Sequence, residues 1–308
     1  MTGAPLTDDR QVRALVIGVD SLVGSAVRAL CDSLNIEVEG TSRRPAGQGT
    51  LFLDLDAPDL GPLARARCDV AIVCAAVTDM KTCQADPAGT RRINVDNTLE
   101  AMRRLADGGA HLVFLSSSQV FDGETPAPTE AAPTNPKNVY GEQKVTVEQA
   151  IAAEGLPAAS LRVTKVLAPH PVGVFKGWFE ALTRGQAVTP ATNMSLSPVM
   201  VADVARAALL IGQGRHRGIW HLGSSDEIGY ADAARAMAAM HGLPASLVVG
   251  QAVTQDQVPD IYRHRHVTLS CDKIGRQLGF PVRRARDVID ALFASFGRPA
   301  APGSAGKP

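Results

Sequence analysis

The chain has 308 residues, of which 45% are hydrophobic, so it can form a large α/β unit with a second lobe. Its 31 basic and 31 acidic residues cancel, which argues against a nucleic acid or another polyanion as the partner. No window of the sequence approaches the roughly 20 apolar residues that a membrane span requires.

The first predicted unit is a strand, a turn and a helix. An apolar run at residues 14–18 predicts a buried strand, and a helical pattern follows at residues 22–34. The junction contains Gly18-x-x-Ser21-x-x-Gly24. Glycines there permit a tight turn and close helix packing, and backbone N–H groups at the helix start can hold a pyrophosphate.

An ordinary turn between strand and helix stays open as the alternative reading of this junction. Ser21 stands where the glycine fingerprint has its middle glycine. Asp20 also adds a carboxylate near the expected phosphates, which is unfavourable unless the side chain turns away as a helix cap.

The second predicted strand, residues 36–42, ends at Ser42 and is followed by Arg43 and Arg44. An acidic residue at this place would accept hydrogen bonds from the adenosine ribose of NAD, whereas an arginine suits the 2′-phosphate of NADP. Arg43 therefore predicts NADP(H) in preference to NAD(H). A solvated arginine pair is the alternative.

Strands and helices alternate through five units. Further strands are predicted at residues 50–55, 69–76 and 111–118, with a helix at residues 87–105. This alternation predicts a Rossmann-type doubly wound parallel sheet, whose ligands bind beyond the carboxyl ends of the strands. The residues at such ends are Gly18, Arg43, Asp54, Ala75, Ala76, Ser116, Ser117 and Ser118.

Tyr140 and Lys144 follow the fifth strand and stand four residues apart, so they share one face of a helix. Thr134-Asn135-Pro136 predicts the start of that helix and places the tyrosine in its first turns. The helix dipole and the ammonium are both expected to lower the phenol pKa from about 10. Such a phenol can exchange a proton with a carbonyl or alcohol oxygen. On spacing alone, a surface tyrosine beside a solvated lysine is the alternative.

The second half is predicted to form the smaller C-terminal lobe that binds the substrate. A sixth strand is predicted at residues 159–167, and Trp178 is expected to pack in the core. Lys165 is expected to leave the strand for solvent. The predicted boundaries are residues 1–165 and 199–223 for the NADP-binding domain, 166–198 and 224–296 for the lobe, and 297–308 for a disordered tail.

His264 and His266 would share one face of an extended segment, as a metal pair would. No third ligand has suitable spacing, so no metal site is predicted. Arg263 in the same segment favours a basic lip that faces a diphosphate, with a plain charged surface as the alternative.

Taken together, these segments resemble the extended short-chain dehydrogenases/reductases that act on nucleotide sugars, and above all the dTDP-4-dehydrorhamnose reductases. The resemblance spans residues 13–296 and implies an NAD(P)-dependent oxidoreductase that uses NADP(H). The matching segments are residues 18–24, 74–78, 93–95, 115–123, 140–144, 161–162, 197–205, 218–222 and 269–280.

The resemblance implies roles for particular residues. Ser117 would bind the substrate oxygen, Tyr140 would donate the proton, and Lys144 would lower the tyrosine pKa and hold the nicotinamide ribose. Asn94 would support the site from outside, unless it is a helix asparagine packed in place. The residues implied to bind the cofactor are Gly18, Ser21, Leu22, Val23, Gly24, Ser42, Arg43, Asp54, Leu55, Ala75, Ala76, Val77, Tyr140, Lys144 and Val163.

The residues expected to bind the substrate are Thr78, Ser118, Gln119 and Arg263. Ser118 and Gln119 stand where the rhamnose reductases often carry aspartate and tyrosine, so the substrate itself stays open. The expected substrate is a small-molecule carbonyl, most simply the keto group of a nucleotide-linked deoxysugar reduced by NADPH. The alternatives are a nucleotide-sugar epimerase or dehydratase with tightly held NAD, and a non-catalytic NADP-binding regulatory subunit like that of methionine adenosyltransferase.

The five cysteines include no Cys-x-x-Cys pair, which indicates reduced, buried thiols and predicts a cytoplasmic location. The N-terminal residues contain no apolar signal core. The resemblance leaves both a homodimer, formed through helices near residues 94–105 and 139–154, and a monomer open.

Overall fold

The computed structural model describes residues 12–44, 49–170 and 172–297. The predicted disordered tail lies outside these residues, apart from Gly297. The strands are β1 Arg13–Ile17, β2 Glu37–Ser42, β3 Thr50–Phe52, β4 Val70–Val73, β5 His111–Ser117, β6 Ala158–Val163, β7 Lys165–Leu167, β8 Ser195–Leu196, β9 Pro198–Met200, β10 Gly218–Leu222 and β11 Ile228–Gly229. The α-helices are α1 Leu22–Ser33, α2 Gly61–Arg65, α3 Met80–Ala85, α4 Pro87–Arg91, α5 Thr98–Asp107, α6 Val139–Ala153, α7 Gly173–Thr183, α8 Val201–Gln213, α9 Tyr230–Met240, α10 Asp272–Leu278 and α11 Ala285–Ala294. Across these ranges, no helix combines the length and the apolar character that a membrane crossing needs.

A seven-stranded parallel sheet forms the centre, in the order β10-β6-β5-β4-β1-β2-β3. This is the doubly wound order with one strand added at the edge. The chain reverses direction across the sheet between β1 and β4, and a crevice forms outside the carboxyl ends of strands at such a point. The predicted Rossmann-type α/β fold is confirmed.

Apolar side chains cover both faces of the sheet because successive residues of a strand point to opposite faces. Leu15 and Ile17 of β1 pack in the core formed with α5 and α6. Ala14 and Val16 pack in the opposite core, formed with α1 and α8. The central strands β1, β4 and β5 therefore read as nearly continuous apolar runs, with polar residues only at their ends.

The sixth predicted strand is two strands in the structure. β6 ends at Val163, and β7 begins at Lys165 and pairs with β9 in a separate two-stranded sheet. The backbone N–H of Thr164 donates to Leu222 of β10 at 3.2 Å, whereas that of Lys165 donates to Ser197 at 3.3 Å. The partner changes from one residue to the next, so the chain leaves the central sheet without a loop.

A third core lies among α7, α9 and α11. Trp178 of α7 is buried there and meets the Phe175 ring edge-on, with 5.5 Å between ring centroids. Phe293 of α11 meets Phe175 from another side at 5.7 Å. The expectation that Trp178 packs in a core is confirmed.

Two glycine-to-alanine variants test the packing of α1 on β1. Gly24→Ala should lower the free energy of unfolding by about 1–3 kcal/mol, because its added Cβ overlaps the Gly18 carbonyl oxygen. Gly177→Ala is the matched control. The space around this glycine of α7 is open, so alanine there should raise the free energy of unfolding by about 0.5–1 kcal/mol. Urea unfolding measures both, and equal effects at the two sites would contradict the close contact.

Candidate active site

A cavity of about 670 Å³ lies at the carboxyl ends of the parallel strands. Of the predicted site residues, those that line it are Ser21, Leu22, Val23, Ala76, Thr78, Ser117, Ser118, Gln119, Tyr140, Lys144 and Val163. Those outside its wall are Gly18, Gly24, Ser42, Arg43, Asp54, Leu55, Ala75, Val77 and Arg263. All of the second group except Arg263 lie at or after the ends of β1 to β4, along the same edge of the sheet.

The turn between β1 and α1 has the geometry that the glycine pattern predicts. Gly18 has a φ of 84°, a left-handed value that glycine adopts without strain. Ser21 caps α1, since its hydroxyl accepts a hydrogen bond of 3.0 Å from the Gly24 backbone N–H. Ser21, Leu22 and Val23 line the cavity at this helix start, where the helix dipole favours an anion.

Asp20 does not cap the helix. Its carboxylate instead accepts a hydrogen bond from the Ser42 hydroxyl at the end of β2. The same hydroxyl accepts a hydrogen bond of 2.9 Å from the Arg44 backbone N–H. The Asp20 carboxylate is therefore held at the end of β2, next to the residue that precedes the exposed Arg43.

The loop after β4 is held in place by Asn94, which lies in a π-helical stretch, Arg92–Asn97, between α4 and α5. The Asn94 side chain accepts a hydrogen bond from the Val77 backbone N–H at 2.7 Å and donates one to the Val77 carbonyl at 2.9 Å. It also donates to Gln143 of α6 at 2.7 Å. Asn94 thus joins the loop to the helix that carries Tyr140, and Gln143 is a partner that sequence reasoning missed.

Helix α6 begins at Val139, with Asn138 as its cap, so the predicted start near Thr134-Asn135-Pro136 was wrong. The Asn138 side chain accepts a hydrogen bond of 2.9 Å from the Gly141 backbone N–H. The Asn135 side chain is engaged elsewhere, since it donates to the Asp122 carboxylate at 2.9 Å. Tyr140 still lies in the first turn of the helix, as expected.

Ser117, Tyr140 and Lys144 meet at this cavity. Ser117 ends β5 and pairs in register with Val163 of β6. The Lys144 ammonium is buried and donates a hydrogen bond of 2.7 Å to the Leu115 carbonyl. The predicted trio is therefore brought together, with one member on a strand and two on one face of α6.

Burial changes the ionisation of the two helix residues. It raises the pKa of Tyr140 above its usual range, and an interaction with the Ser117 hydroxyl acts in the opposite direction. The expectation that the phenol pKa would be lowered was thus wrong for the protein alone, because desolvation of the phenolate dominates. Burial also lowers the pKa of Lys144 to about 8, while Glu148 raises it.

The other side of the cavity is lined by an extended segment after α9. Tyr262, His264 and His266 face the cavity, whereas Arg263 does not and lies 3.6 Å from the Asp260 carboxylate. Arg263 is thus outside the cavity wall in the protein alone, and its contact with substrate stays a prediction. The alternation noted for the two histidines identifies His264 and His266 as lining residues, whereas Val267, Thr268 and Leu269 line the cavity consecutively.

Lys165 lines the cavity mouth while its side chain stays exposed to solvent. Within the described part of the chain, no group of three or more His, Cys, Asp or Glu could hold a metal ion. Ser118 and Gln119 form a short 3-10 turn with Val120 directly after β5. Beyond β6, the cavity is lined by residues 164–166, residues 194–197, Tyr230 and the extended segment.

A buried polar cluster lies next to the trio. Glu148 of α6 binds Arg162 of β6 through hydrogen bonds of 2.6, 3.0 and 3.2 Å. Ser116 donates a hydrogen bond of 2.5 Å to Glu148, and Arg162 lies 3.3 Å from the His221 imidazole. Burial, together with the Arg162 charge, lowers the pKa of His221 to about 3.

The depressed pKa of His221 predicts a loss of stability in acid. The unfolded chain binds a proton at this histidine below about pH 6.5, whereas the folded chain binds it only near pH 3. Above about pH 6.5, His221 therefore costs the fold nothing. At pH 5, the free energy of unfolding should be lower by about 2 kcal/mol because of this histidine.

Unfolding free energies of the parent protein and of His221→Gln, measured between pH 5 and 7.5, test this. The variant should show a shallower dependence on pH by about that amount. His170→Gln, which changes an exposed histidine, should keep the full slope. Parallel curves for the parent and His221→Gln would contradict the buried neutral histidine.

The sequence model of the family described as the RmlD substrate binding domain matches residues 12–297. The chain belongs to this family. It is 26% identical to methionine adenosyltransferase 2 subunit beta of Bos taurus over 288 residues, which cover 85% of this chain and 81% of that protein. It is 32% identical to dTDP-4-dehydrorhamnose reductase of Mycobacterium tuberculosis (strain ATCC 25618 / H37Rv) over 156 residues, 49% of this chain and 51% of that one.

Solved structures share the fold of this RmlD-type chain. A dTDP-4-dehydrorhamnose reductase of Bacillus anthracis str. Ames in complex with NADP has a TM-score of 0.78 at 16% identity, and covers 92% of this chain and 99% of its own. MoeE5 in complex with UDP-glucose and NAD has a TM-score of 0.76 at 23% identity, with 92% and 98% covered. The predicted membership of the extended short-chain dehydrogenases/reductases, a class of NAD(P)-dependent oxidoreductases, is confirmed.

Proposed function

We propose that the protein is an NADPH-dependent reductase of a keto group on a small molecule, most simply on a nucleotide-linked deoxysugar. The observation that carries this proposal is the meeting of Ser117, Tyr140 and Lys144 at one cavity beside the capped start of α1. A hydroxyl, a phenol and an ammonium at the end of a doubly wound sheet are suited to handling a carbonyl oxygen next to a dinucleotide.

The dinucleotide is proposed to lie along the strand ends, from Arg43 past the Gly18 turn to Val163. When bound, its nicotinamide supplies the hydride. The start of α1 holds the pyrophosphate with backbone N–H groups. Arg43 is exposed at the end of β2 and binds the 2′-phosphate. Asn94 fixes the Val77 backbone along the same edge.

The protein residues supply the proton and orient the substrate. The Tyr140 phenol holds its proton in the protein alone, since burial raises its pKa, and so it can donate to the oxygen of a carbonyl. The Ser117 hydroxyl donates a hydrogen bond to the same oxygen. The Lys144 ammonium holds the nicotinamide ribose and favours the phenolate that remains after transfer.

An anionic substrate fits the outer part of the cavity. Lys165, His264 and His266 line it, and none of the described residues in its wall is an aspartate or a glutamate. A diphosphate group therefore meets cationic or neutral donors there and no carboxylate. Ser118, Gln119 and Thr78 lie close to the reacting end, where they are proposed to contact the sugar.

A second candidate is a non-catalytic dinucleotide-binding subunit. The alignment with methionine adenosyltransferase 2 subunit beta covers 85% of this chain, whereas that with the M. tuberculosis reductase covers 49%.

A nucleotide-sugar epimerase or dehydratase would be indicated by NAD that stays bound through purification. The homodimer through α5 and α6 stays a prediction.

The deciding experiment is an NADPH-oxidation screen of the purified protein with 4-keto nucleotide sugars and simple ketones. The reductase should oxidise NADPH with at least one anionic keto sugar and act more slowly on neutral ketones. Silence across the panel, with NADPH still bound, would instead support the non-catalytic subunit.

Tyr140→Phe tests the proposed proton donor. Turnover should fall at least about a hundredfold, because the acid is removed, while the affinity for NADPH stays within about twofold. Tyr230→Phe is the matched control at the same cavity and should retain most of the turnover. The role of Tyr140 would be ruled out by a variant that turns over at the parent rate.

Arg43→Ala tests the choice of cofactor. The Kd for NADPH should rise about ten- to a hundredfold, since a charge-assisted hydrogen bond is lost, and the Kd for NADH should hardly change. Arg67→Ala removes the same charge from an exposed loop that precedes β4, at the opposite edge of the sheet, and should leave both constants unchanged. An equal rise for both cofactors would contradict a contact with the 2′-phosphate.

A further inference from the structure

The buried pair of Glu148 and Arg162 has no place in the reaction described so far. Their side chains are 5% and 4% exposed, and the closest nitrogen–oxygen distance is 2.6 Å. Removing two charges from water is costly, and well-packed apolar residues often stabilise a fold equally well or better. Stability alone is therefore a weak reason for an ion pair at this depth, so its neighbours indicate what it does.

Glu148 is joined to the site through the backbone of β5. Ser116 donates a hydrogen bond of 2.5 Å to the Glu148 carboxylate. On one side of Ser116, the Leu115 carbonyl accepts the hydrogen bond from Lys144 at 2.7 Å. On the other side is Ser117, whose hydroxyl lines the cavity. A single carboxylate therefore fixes the strand end that carries both contacts against the helix that carries Lys144.

Glu148 also follows Lys144 by four residues on α6, a spacing at which side chains are neighbours on a helix, and its charge raises the pKa of Lys144. The titratable groups around this ammonium are Tyr140 and Glu148 on α6, Cys74 after β4 and Cys83 on α3. Burial raises the pKa of Cys74 to about 12, and it also raises the pKa values of Cys83 and Tyr140. These three groups are neutral near pH 7, so among the four groups the opposite charge to the ammonium comes from the Glu148 carboxylate, which is ion-paired with Arg162.

Arg162 and His221 hold that carboxylate from the other side. The guanidinium of Arg162 binds both carboxylate oxygens and lies 3.3 Å from the neutral His221 ring. Its central carbon is 5.0 Å from the centre of the Phe121 ring, which lines the cavity. The pair thus spans from the cavity wall to α6, and the carboxylate cannot turn to another partner without leaving Arg162 unpaired.

We propose that Glu148 is a positioning residue for the active site: through Ser116 it holds the end of β5 against α6, and its carboxylate is the counter-charge of the Lys144 ammonium. Arg162 fixes the carboxylate in this place. The inference rests on the role proposed above for Lys144, but its test needs neither the substrate nor turnover.

Lysine labelled with ¹³C at the ε carbon allows the ionisation of Lys144 to be followed by NMR between pH 6 and 11, with Lys144→Met to assign the signal. In Glu148→Gln the midpoint should fall by on the order of one pH unit, because the counter-charge is lost and Arg162 is left unpaired. Glu154→Gln changes the residue directly after α6, in an exposed pair with Arg103, and should leave the midpoint unchanged.

A second readout is the pH at which NADPH affinity, measured by fluorescence, declines. This pH should move with the lysine midpoint in Glu148→Gln and stay in place in Glu154→Gln. Should Glu148→Gln not fold, the double variant Glu148→Gln/Arg162→Met removes both charges, and the midpoint should still fall, although by less. An unchanged midpoint in a folded variant overturns the proposal.

The failure of this inference and that of the proposed function look different. A protein that oxidises NADPH with no carbonyl compound argues against the reductase, yet the lysine midpoint can still shift. If the protein turns over substrate but the Lys144 midpoint does not shift in Glu148→Gln, the reductase function stands and Glu148 has no positioning role.

Discussion

The site depends on one constraint: in a parallel sheet covered on both faces, the central strands are apolar along their length and carry polar groups mainly where they end. Both faces here are packed by helices, and the cores on the two sides take alternate residues of each strand. All seven strands run in one direction, so their carboxyl ends meet along a single edge. Gly18, Ser42 and Ser117 come from distant parts of the chain and reach this edge for that reason.

Lys144 shows what it takes to keep a charge in such a place. The ammonium has the Leu115 carbonyl at 2.7 Å, the Phe114 ring at 4.4 Å and the Tyr140 ring at 5.6 Å. An aromatic face attracts a cation, and a carbonyl accepts a hydrogen bond from it. Neither contact replaces the hydration that burial removes. Breaking a buried ion pair nearby typically costs about 3–5 kcal/mol. Loss of either Glu148 or Arg162 alone would therefore leave an uncompensated buried charge and disturb both the fold and the local charge balance.

The sequence predicts the sheet and most of the cavity wall because apolar runs, glycines and spacing are local signals. It does not predict the break at Thr164, since an apolar run reads the same whichever strand it pairs with. The start of α6 was misplaced because the side chain that caps it is decided by partners distant in sequence: Asn135 binds Asp122, and Asn138 is left to cap. The raised pKa of Tyr140 follows from burial, which no pattern of neighbours along the chain reveals.

The change of partner at Thr164 bears on how substrate preference can evolve in this fold. Val163 and Lys165 both line the cavity, and one residue separates them. β6, before Thr164, belongs to the central sheet, and β7, after it, pairs with β9. A substitution at this point therefore disturbs the hydrogen bonds of two sheets at once. Residues 194–197, and most residues of the segment 262–269, line the same cavity largely from loops and short strands. Sequence changes that alter substrate preference should therefore accumulate in those two segments, while the stretch from β6 to β7 around Thr164 changes slowly.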